Sequence, residues 1–139
     1  MQALGRIYET VLYAPDLDAT AKFYQSILGL KLLSQTELML VFAVGKNYLL
    51  VFDPKKSSTE GRLVPSHGCS GEGHLAFTVE ADELSGWREK LALANIEIEK
   101  EVEWSEGLRG RSIYFRDPAG NSIELAPPIL WSYLHGDEN

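Results

Sequence analysis

The sequence predicts an α+β protein made of two tandem βαβββ modules within a single domain spanning residues 1–139. A strand-type alternation, a helix-type spacing of apolar residues and further short strands occur over residues 6–54 and recur over residues 72–128. Aligning the first strands pairs Glu9 with His74, an offset of 65 residues, and the two helices fall close to that offset. Recurrence at a fixed offset indicates a duplicated structural unit. We therefore predict two equivalent modules joined by a loop at residues 55–71.

The first module begins with residues 6–14, which alternate as a strand and place Glu9 among apolar neighbours until Pro15 ends the strand. Apolar residues at helical spacing follow, with Asp16 or Asp18 as the N-cap, until Gly29 stops the helix. Short β-rich runs separated by turn residues then predict three strands. These strands are Lys31–Gln35, Leu38–Val44 and Tyr48–Phe52.

The linker at residues 55–71 is rich in Ser, Gly, Lys and Pro and has no sustained period, so it is predicted to be a loop. His67 within it is expected to be a solvated bystander.

The second module then repeats the order of the first. Its predicted elements are a strand at His74–Glu80, a helix capped by Asp82 and ending at Asn95, an edge strand at Ile96–Glu101, a polar loop from Val102 to Gly110, and a hairpin at residues 111–126 with a turn at residues 117–120.

The hairpin carries the most specific chemistry of the chain. On its returning strand, alternation places Glu124 with Ser122 and Ala126, opposite the apolar pair Ile123 and Leu125. A single Glu on a strand is often solvent-exposed, so Glu124 is either a solvated surface residue or a functional residue. Tyr114 is predicted one strand away from Glu124, with the same facing as Ser112.

Composition excludes several classes of function. The formal net charge is −7, and no cluster of Lys and Arg offers a phosphate-binding surface, so we expect no nucleic-acid partner. No apolar run approaches the roughly 20 residues that cross a bilayer, and we expect a cytoplasmic protein without a membrane partner. The single Cys69 fits a reducing compartment. In the tail, Leu130, Trp131 and Tyr133 are candidates for packing on a neighbour, and His135 is expected at a frayed surface.

Four phrases in the correct order resemble the vicinal oxygen chelate superfamily of glyoxalases, bleomycin-resistance proteins and extradiol dioxygenases. They are Y-E-T-V-L-Y-A-P-D-L-D, F-Y-Q-S-I-L-G-L, G-H-L-A-F-T-V and Y-F-R-D-P-A-G-N-S-I-E-L. The resemblance covers residues 6 to about 128 and implies paired modules whose sheets curl into a cleft. It also implies a divalent metal, with ligands that fall on Glu9, His74 and Glu124. Two carboxylates and one imidazole suit Mn²⁺, Fe²⁺, Ni²⁺ or Zn²⁺ better than Ca²⁺.

The same resemblance implies an enzyme that chelates a small oxygen-rich substrate by lyase, transferase or dioxygenase chemistry. Tyr114 is a candidate hydroxyl donor to an oxyanion. Arg111, with Arg109 nearby, is a candidate for binding an anionic group. Tyr13, Phe42 and Trp104 are candidates for lining an aromatic pocket. The sequence departs from the family in having Glu9 where His or Gln is usual. It also has Leu49 and Leu50 where a glyoxalase has a second carboxylate, and the layout most resembles the small fosfomycin-resistance enzymes.

The alternative function is that of a metal-free, bleomycin-resistance-like protein that sequesters a small molecule. Under either interpretation the resemblance and the open sheet edges favour a homodimer. The sequence leaves open whether the modules pair within one chain or swap between two. In the swapped arrangement, Glu9 of one chain would join His74 and Glu124 of the other.

Overall fold

The computed structural model describes residues 2–135, with the side chains of Tyr133 and His135 outside the description. The expectations for those two side chains therefore stay predictions. The chain divides into two compact units between Gly73 and His74. Each unit contains one four-stranded mixed sheet and one ten-residue α-helix, so the predicted α+β fold of two tandem βαβββ modules is confirmed. Within the described residues, no helix combines the length and apolar character needed to cross a membrane.

In the first unit the sheet has the strand order β1-β4-β3-β2, in which β1 and β4 are parallel and the other neighbours antiparallel. The helix begins where predicted because the Asp16 carboxylate accepts a hydrogen bond from the backbone N–H of Ala19, at 3.0 Å. Gly29, at φ 69°, lies in the left-handed region just beyond the helix end. The elements are β1 (Glu9–Tyr13), α1 (Leu17–Ser26), β2 (Lys31–Gln35), β3 (Met39–Val44) and β4 (Asn47–Phe52).

The core of the first unit lies between α1 and one face of the sheet. Tyr24 of α1 is fully buried and its ring lies 5.5 Å from that of Phe42 on β3. The strand register places Phe42 on the opposite face from Tyr13. Phe42 is therefore a core residue, and the expected aromatic pocket does not include it.

The second unit repeats this arrangement, with the strand order β5-β8-β7-β6 and a parallel pair β5 and β8. Its strand β5 starts 65 residues after β1, which confirms the predicted offset. A short α2 (Pro54–Ser57) precedes the unit. The further elements are β5 (His74–Thr78), α3 (Leu84–Leu93), β6 (Lys100–Glu103), β7 (Arg111–Arg116) and β8 (Ser122–Ala126).

Three predicted boundaries were wrong. The 55–71 linker was predicted without helix, but α2 runs into it, because the Asp53 carboxylate accepts hydrogen bonds from the N–H groups of Lys55 and Lys56. The helical segment of the second unit is capped by a reciprocal box between Glu80 and Glu83, and not by Asp82. The edge strand is shifted towards the C-terminus and extends into the predicted loop at Val102, because its register with β7 begins at Lys100.

His67 was predicted to be a solvated bystander, and this was wrong. The side chain is half-buried, and its Nδ1 lies 2.7 Å from the hydroxyl of Tyr13 on β1. Its ring meets that of Phe52 edge to face at 4.6 Å, and its backbone N–H donates to the carbonyl of Ser57. His67 therefore fastens the linker to the face of the first sheet that carries Glu9.

We expect His67→Ala to loosen the linker without unfolding the first sheet. A hydrogen bond and an aromatic contact of this kind each contribute about 1 kcal/mol, so losing both should raise the local opening equilibrium roughly thirtyfold. Trypsin cleavage after Arg62 measures that opening under native conditions, because cleavage follows the population of the open form. Ser70→Ala, at an exposed position of the same linker, is the matched control. Equal cleavage rates in the parent and His67→Ala would contradict the fastening role.

Candidate metal centre

The second unit buries Glu124 at the centre of β8. This strand is paired with β5 on one side and with β7 on the other, so Glu124 lies between Ala76 and Tyr114. Only 6% of the residue is exposed, which rules out the solvated role. Its Oε2 atom is buried and has no hydrogen-bond partner among the described residues. A buried carboxylate oxygen without a partner is costly unless something else satisfies it.

His74 lies next to Glu124 in a fixed orientation. Its Nδ1 is 2.9 Å from the backbone carbonyl of Ser122, and its Nε2 is 3.3 Å from Glu124 Oε1. Because a carbonyl can only accept, Nδ1 carries the hydrogen of that bond. In the neutral ring the Nε2 lone pair then faces the carboxylate, and two acceptor atoms at this distance need a proton or a cation between or beside them.

A divalent cation fits this donor set. A carbonyl that accepts from the far nitrogen of an imidazole is the usual support of a metal-binding His. Two ligand atoms at roughly 2.0–2.2 Å from one metal, at right or near-tetrahedral angles, lie about 2.8–3.6 Å apart. The 3.3 Å between Nε2 and Oε1 falls in that range, and the partnerless Oε2 offers a further ligand atom.

Tyr114 is the third member of this group. It is the direct cross-strand partner of Glu124, and its ring stacks over that of His74 with centroids 6.3 Å apart. Burial, followed by the charge of Glu124 and hydrogen bonding to it, raises the pKa of Tyr114 to about 12. The hydroxyl therefore stays protonated at neutral pH and can act as a hydrogen-bond donor.

Behind Tyr114, the indole Nε1 of Trp104 donates to the hydroxyl of the fully buried Ser112, at 2.8 Å. Trp104 therefore supports the strand that carries Tyr114. The sequence placed Ser112 on the same face as Tyr114 but did not show this hydrogen bond.

Arg111, predicted to be catalytic, lies on the other face of the sheet. Its guanidinium pairs with Glu101 at 3.3 Å and with Glu103 at 3.1 Å. Arg88 of α3 binds the same Glu101, so this cluster lies on the helix side. The structure does not bring Arg111 together with His74 and Glu124, and Arg109 is exposed in the preceding loop.

Glu9, the remaining predicted ligand, belongs to the first unit. It is the first residue of β1, as His74 is of β5, and both strands pair in parallel with the last strand of their module. The side chain is exposed, so the expectation that apolar neighbours embed it was wrong. Among residues 2–135, no group of three or more His, Cys, Asp and Glu side chains is assembled for a metal. Glu9 therefore stays a predicted ligand.

Comparing the two modules shows which residue of the first unit occupies the position equivalent to Glu124. In the second unit Ser122 pairs with His74, and Glu124 follows two residues later. In the first unit Tyr48 pairs with Glu9, so the position equivalent to Glu124 is Leu50. The first sheet therefore offers a buried leucine where the second offers a carboxylate.

The fold and the His74–Glu124 pair define the class of protein. The chain matches the model of the Glyoxalase/Bleomycin resistance protein/Dioxygenase superfamily over residues 6–125, and it belongs to this superfamily. It is 36% identical to a lactoylglutathione lyase from Agrobacterium tumefaciens, whose crystal structure superposes with a TM-score of 0.87 over 94% of this chain and 98% of the other.

Two further relatives carry names that concern metals. The metallothiol transferase FosB of Bacillus licheniformis is 29% identical over 124 residues, which are 89% of this chain and 76% of the relative. The fosfomycin resistance protein FosX of Listeria monocytogenes, crystallised with Mn(II) and sulfate, is 21% identical with a TM-score of 0.70, over 97% of this chain and 98% of the other. At that identity the second comparison shows a shared fold.

Proposed function

We propose that the protein is a divalent-metal-dependent enzyme that binds a small oxygen-rich substrate through two adjacent oxygens on the metal. His74 and Glu124 are the ligands from the second unit, and Glu9 is the third ligand. The observation that carries the proposal is the partnerless Oε2 of Glu124 beside an imidazole whose Nε2 faces the carboxylate. Mn²⁺, Fe²⁺, Ni²⁺ and Zn²⁺ all suit this set of ligands.

The protein contributes orientation and a hydrogen-bond donor. When bound, the metal supplies a Lewis acid that stabilises negative charge on a substrate oxygen. The Ser122 carbonyl holds the ring of His74, and the interior position of β8 holds Glu124. The protonated hydroxyl of Tyr114 donates to the oxygen on which charge develops.

The single buried carboxylate bears on the type of reaction. A glyoxalase-like isomerisation needs a second carboxylate as proton-transfer base, and the first unit has Leu50 at that position. We therefore favour transferase or lyase chemistry, in which a second reactant or a leaving group completes the reaction. The name of the metallothiol transferase relative points the same way. A metal-free binding protein is disfavoured, because it gains nothing from burying an unpaired carboxylate oxygen.

We expect the purified protein to contain nearly one equivalent of metal, and His74→Ala and Glu124→Gln to lower that content at least tenfold. Elemental analysis of untagged protein, before and after reconstitution, measures this directly. Glu103→Gln is the matched control, because Glu103 pairs with Arg111 on the opposite face of the second sheet. A parent that stays metal-free after reconstitution would refute the proposal.

The ligand role of Glu9 has its own test. Glu9→Ala, which removes the donor atoms, should also lower the metal content if Glu9 is the third ligand. If Glu9→Ala retains the metal while His74→Ala loses it, the pair in the second unit stands and the Glu9 assignment fails. We propose that the protein is a homodimer, which light scattering of the same samples would test.

A further inference from the structure

A cavity of about 390 Å³ opens beside Tyr114 in the second unit. The strand register places its strand residues on the same sheet face as His74 and Glu124, and not on the face that packs against α3. Its lining residues are Glu99, Lys100, Val102, Tyr114, Arg116 and Ser122. Two of them, Tyr114 and Ser122, also contact His74 or Glu124, so the cavity adjoins the candidate metal centre.

Lys100 is an unusual residue for its position. Along residues 97–103 every odd position is Glu, and the even positions are Ile98, Lys100 and Val102. Lys100 is the cross-strand partner of Tyr114, whereas Glu101 pairs with Ile113 on the helix side. The edge strand therefore turns its glutamates at positions 101 and 103 away from the cavity and places one cation beside it.

The two cations of the cavity differ in their partners. Arg116 is held by the carboxylate of Glu99, at 2.8 and 3.2 Å, and by the carbonyl of Gly120. The side-chain ammonium of Lys100 has no hydrogen bond or ion pair with any residue in the described part of the chain. Although the protein has a net charge of −7, the exposed ammonium of Lys100 is thus available to an anion on the face that carries its cross-strand partner Tyr114.

We propose that Lys100 is a specificity-determining residue that binds an anionic group of the substrate, such as a carboxylate, phosphate or phosphonate. The proposal deepens the proposed function and rests on it for the identity of the site. Strand β7 separates Lys100 from β8, so the backbones of Lys100 and Glu124 are about 10 Å apart, two strand spacings. One small molecule can therefore present adjacent oxygens near Glu124 and an anionic group to the ammonium of Lys100.

The test measures anion binding in chelator-treated protein, so that no metal contributes. Inorganic phosphate or acetate is titrated at constant ionic strength while the backbone amides of β6 and β7 are followed by NMR. We expect amide shifts at Lys100, Val102 and Tyr114, and a dissociation constant raised about five- to tenfold in Lys100→Met. Lys100→Arg should restore binding to within about twofold of the parent.

Lys31→Met is the matched control, because Lys31 is an exposed residue on β2, the corresponding edge strand of the first unit. The proposal is supported if phosphate or acetate binds the parent protein and binding weakens in Lys100→Met but not in Lys31→Met. Equal weakening in Lys31→Met, no change in Lys100→Met, or no binding of either anion overturns it. If the protein binds metal but neither anion, only the proposed role of Lys100 is refuted. If it binds anions but no metal, only the proposed function is refuted.

Discussion

Glu124→Leu is expected to raise the free energy of unfolding of the metal-free protein by about 1–4 kcal/mol while abolishing metal binding. Glu124 buries a carboxylate oxygen that no described residue satisfies. Its neighbour His74 keeps 53% of its side chain exposed, so water can solvate the imidazole once the carboxylate is gone. The first unit already has Leu50 at the equivalent position and buries it.

Urea unfolding with a chelator present measures this gain. Glu103→Leu, at an exposed position of the edge strand, is the control and should change stability by less than about 0.5 kcal/mol. With free metal at a hundred times its dissociation constant, the parent should gain about 2.7 kcal/mol and the variant nothing. A metal-free variant that is less stable than the parent would show that Glu124 has a structural role.

Asp117→Ala is expected to lower the free energy of unfolding by about 2–4 kcal/mol and to weaken metal binding with it. Asp117 is buried, and its carboxylate accepts from the backbone N–H groups of Ala119 and Asn121 at 3.0 and 2.9 Å. It also accepts from the side-chain amide of the buried Asn121 at 3.0 Å. Removing it leaves several buried donors unsatisfied in the turn that leads into β8 and hence to Glu124.

Asp53→Ala is the matched comparison for this turn. Asp53 also precedes a proline and also accepts from two backbone N–H groups, but these hydrogen bonds are exposed. Loss of such a helix cap should cost only about 1 kcal/mol. Urea unfolding of both variants, with metal analysis of each, separates the two costs. Equal destabilisation by the two substitutions would show that burial of Asp117 adds nothing.

The sequence predicted most of the fold because its signals are local. The offset between Glu9 and His74, the strand alternation and the D-P-A-G-N turn each depend on residues within one element or on simple repetition. The same alternation placed Tyr114 with Ser112, one strand away from Glu124, and the structure pairs Tyr114 directly with Glu124. It could also have separated Arg111 from Tyr114, because residues three apart on a strand point to opposite faces.

The contacts of individual side chains required the tertiary structure. The hydrogen bond between His67 and Tyr13 joins residues 54 positions apart, and the one between His74 and the Ser122 carbonyl joins residues 48 positions apart. No local sequence pattern indicates either bond. The burial of Glu124 follows from the parallel pairing of β5 with β8, which makes β8 an interior strand.

By itself, then, the sequence determined the duplicated βαβββ modules, the closing hairpin and the face on which Glu124 lies. Only the tertiary structure decided that Glu124 is buried with a partnerless oxygen and that His74 is oriented towards it. The physical reason is that periodicity specifies direction within an element, whereas burial and pairing depend on which distant strands become neighbours.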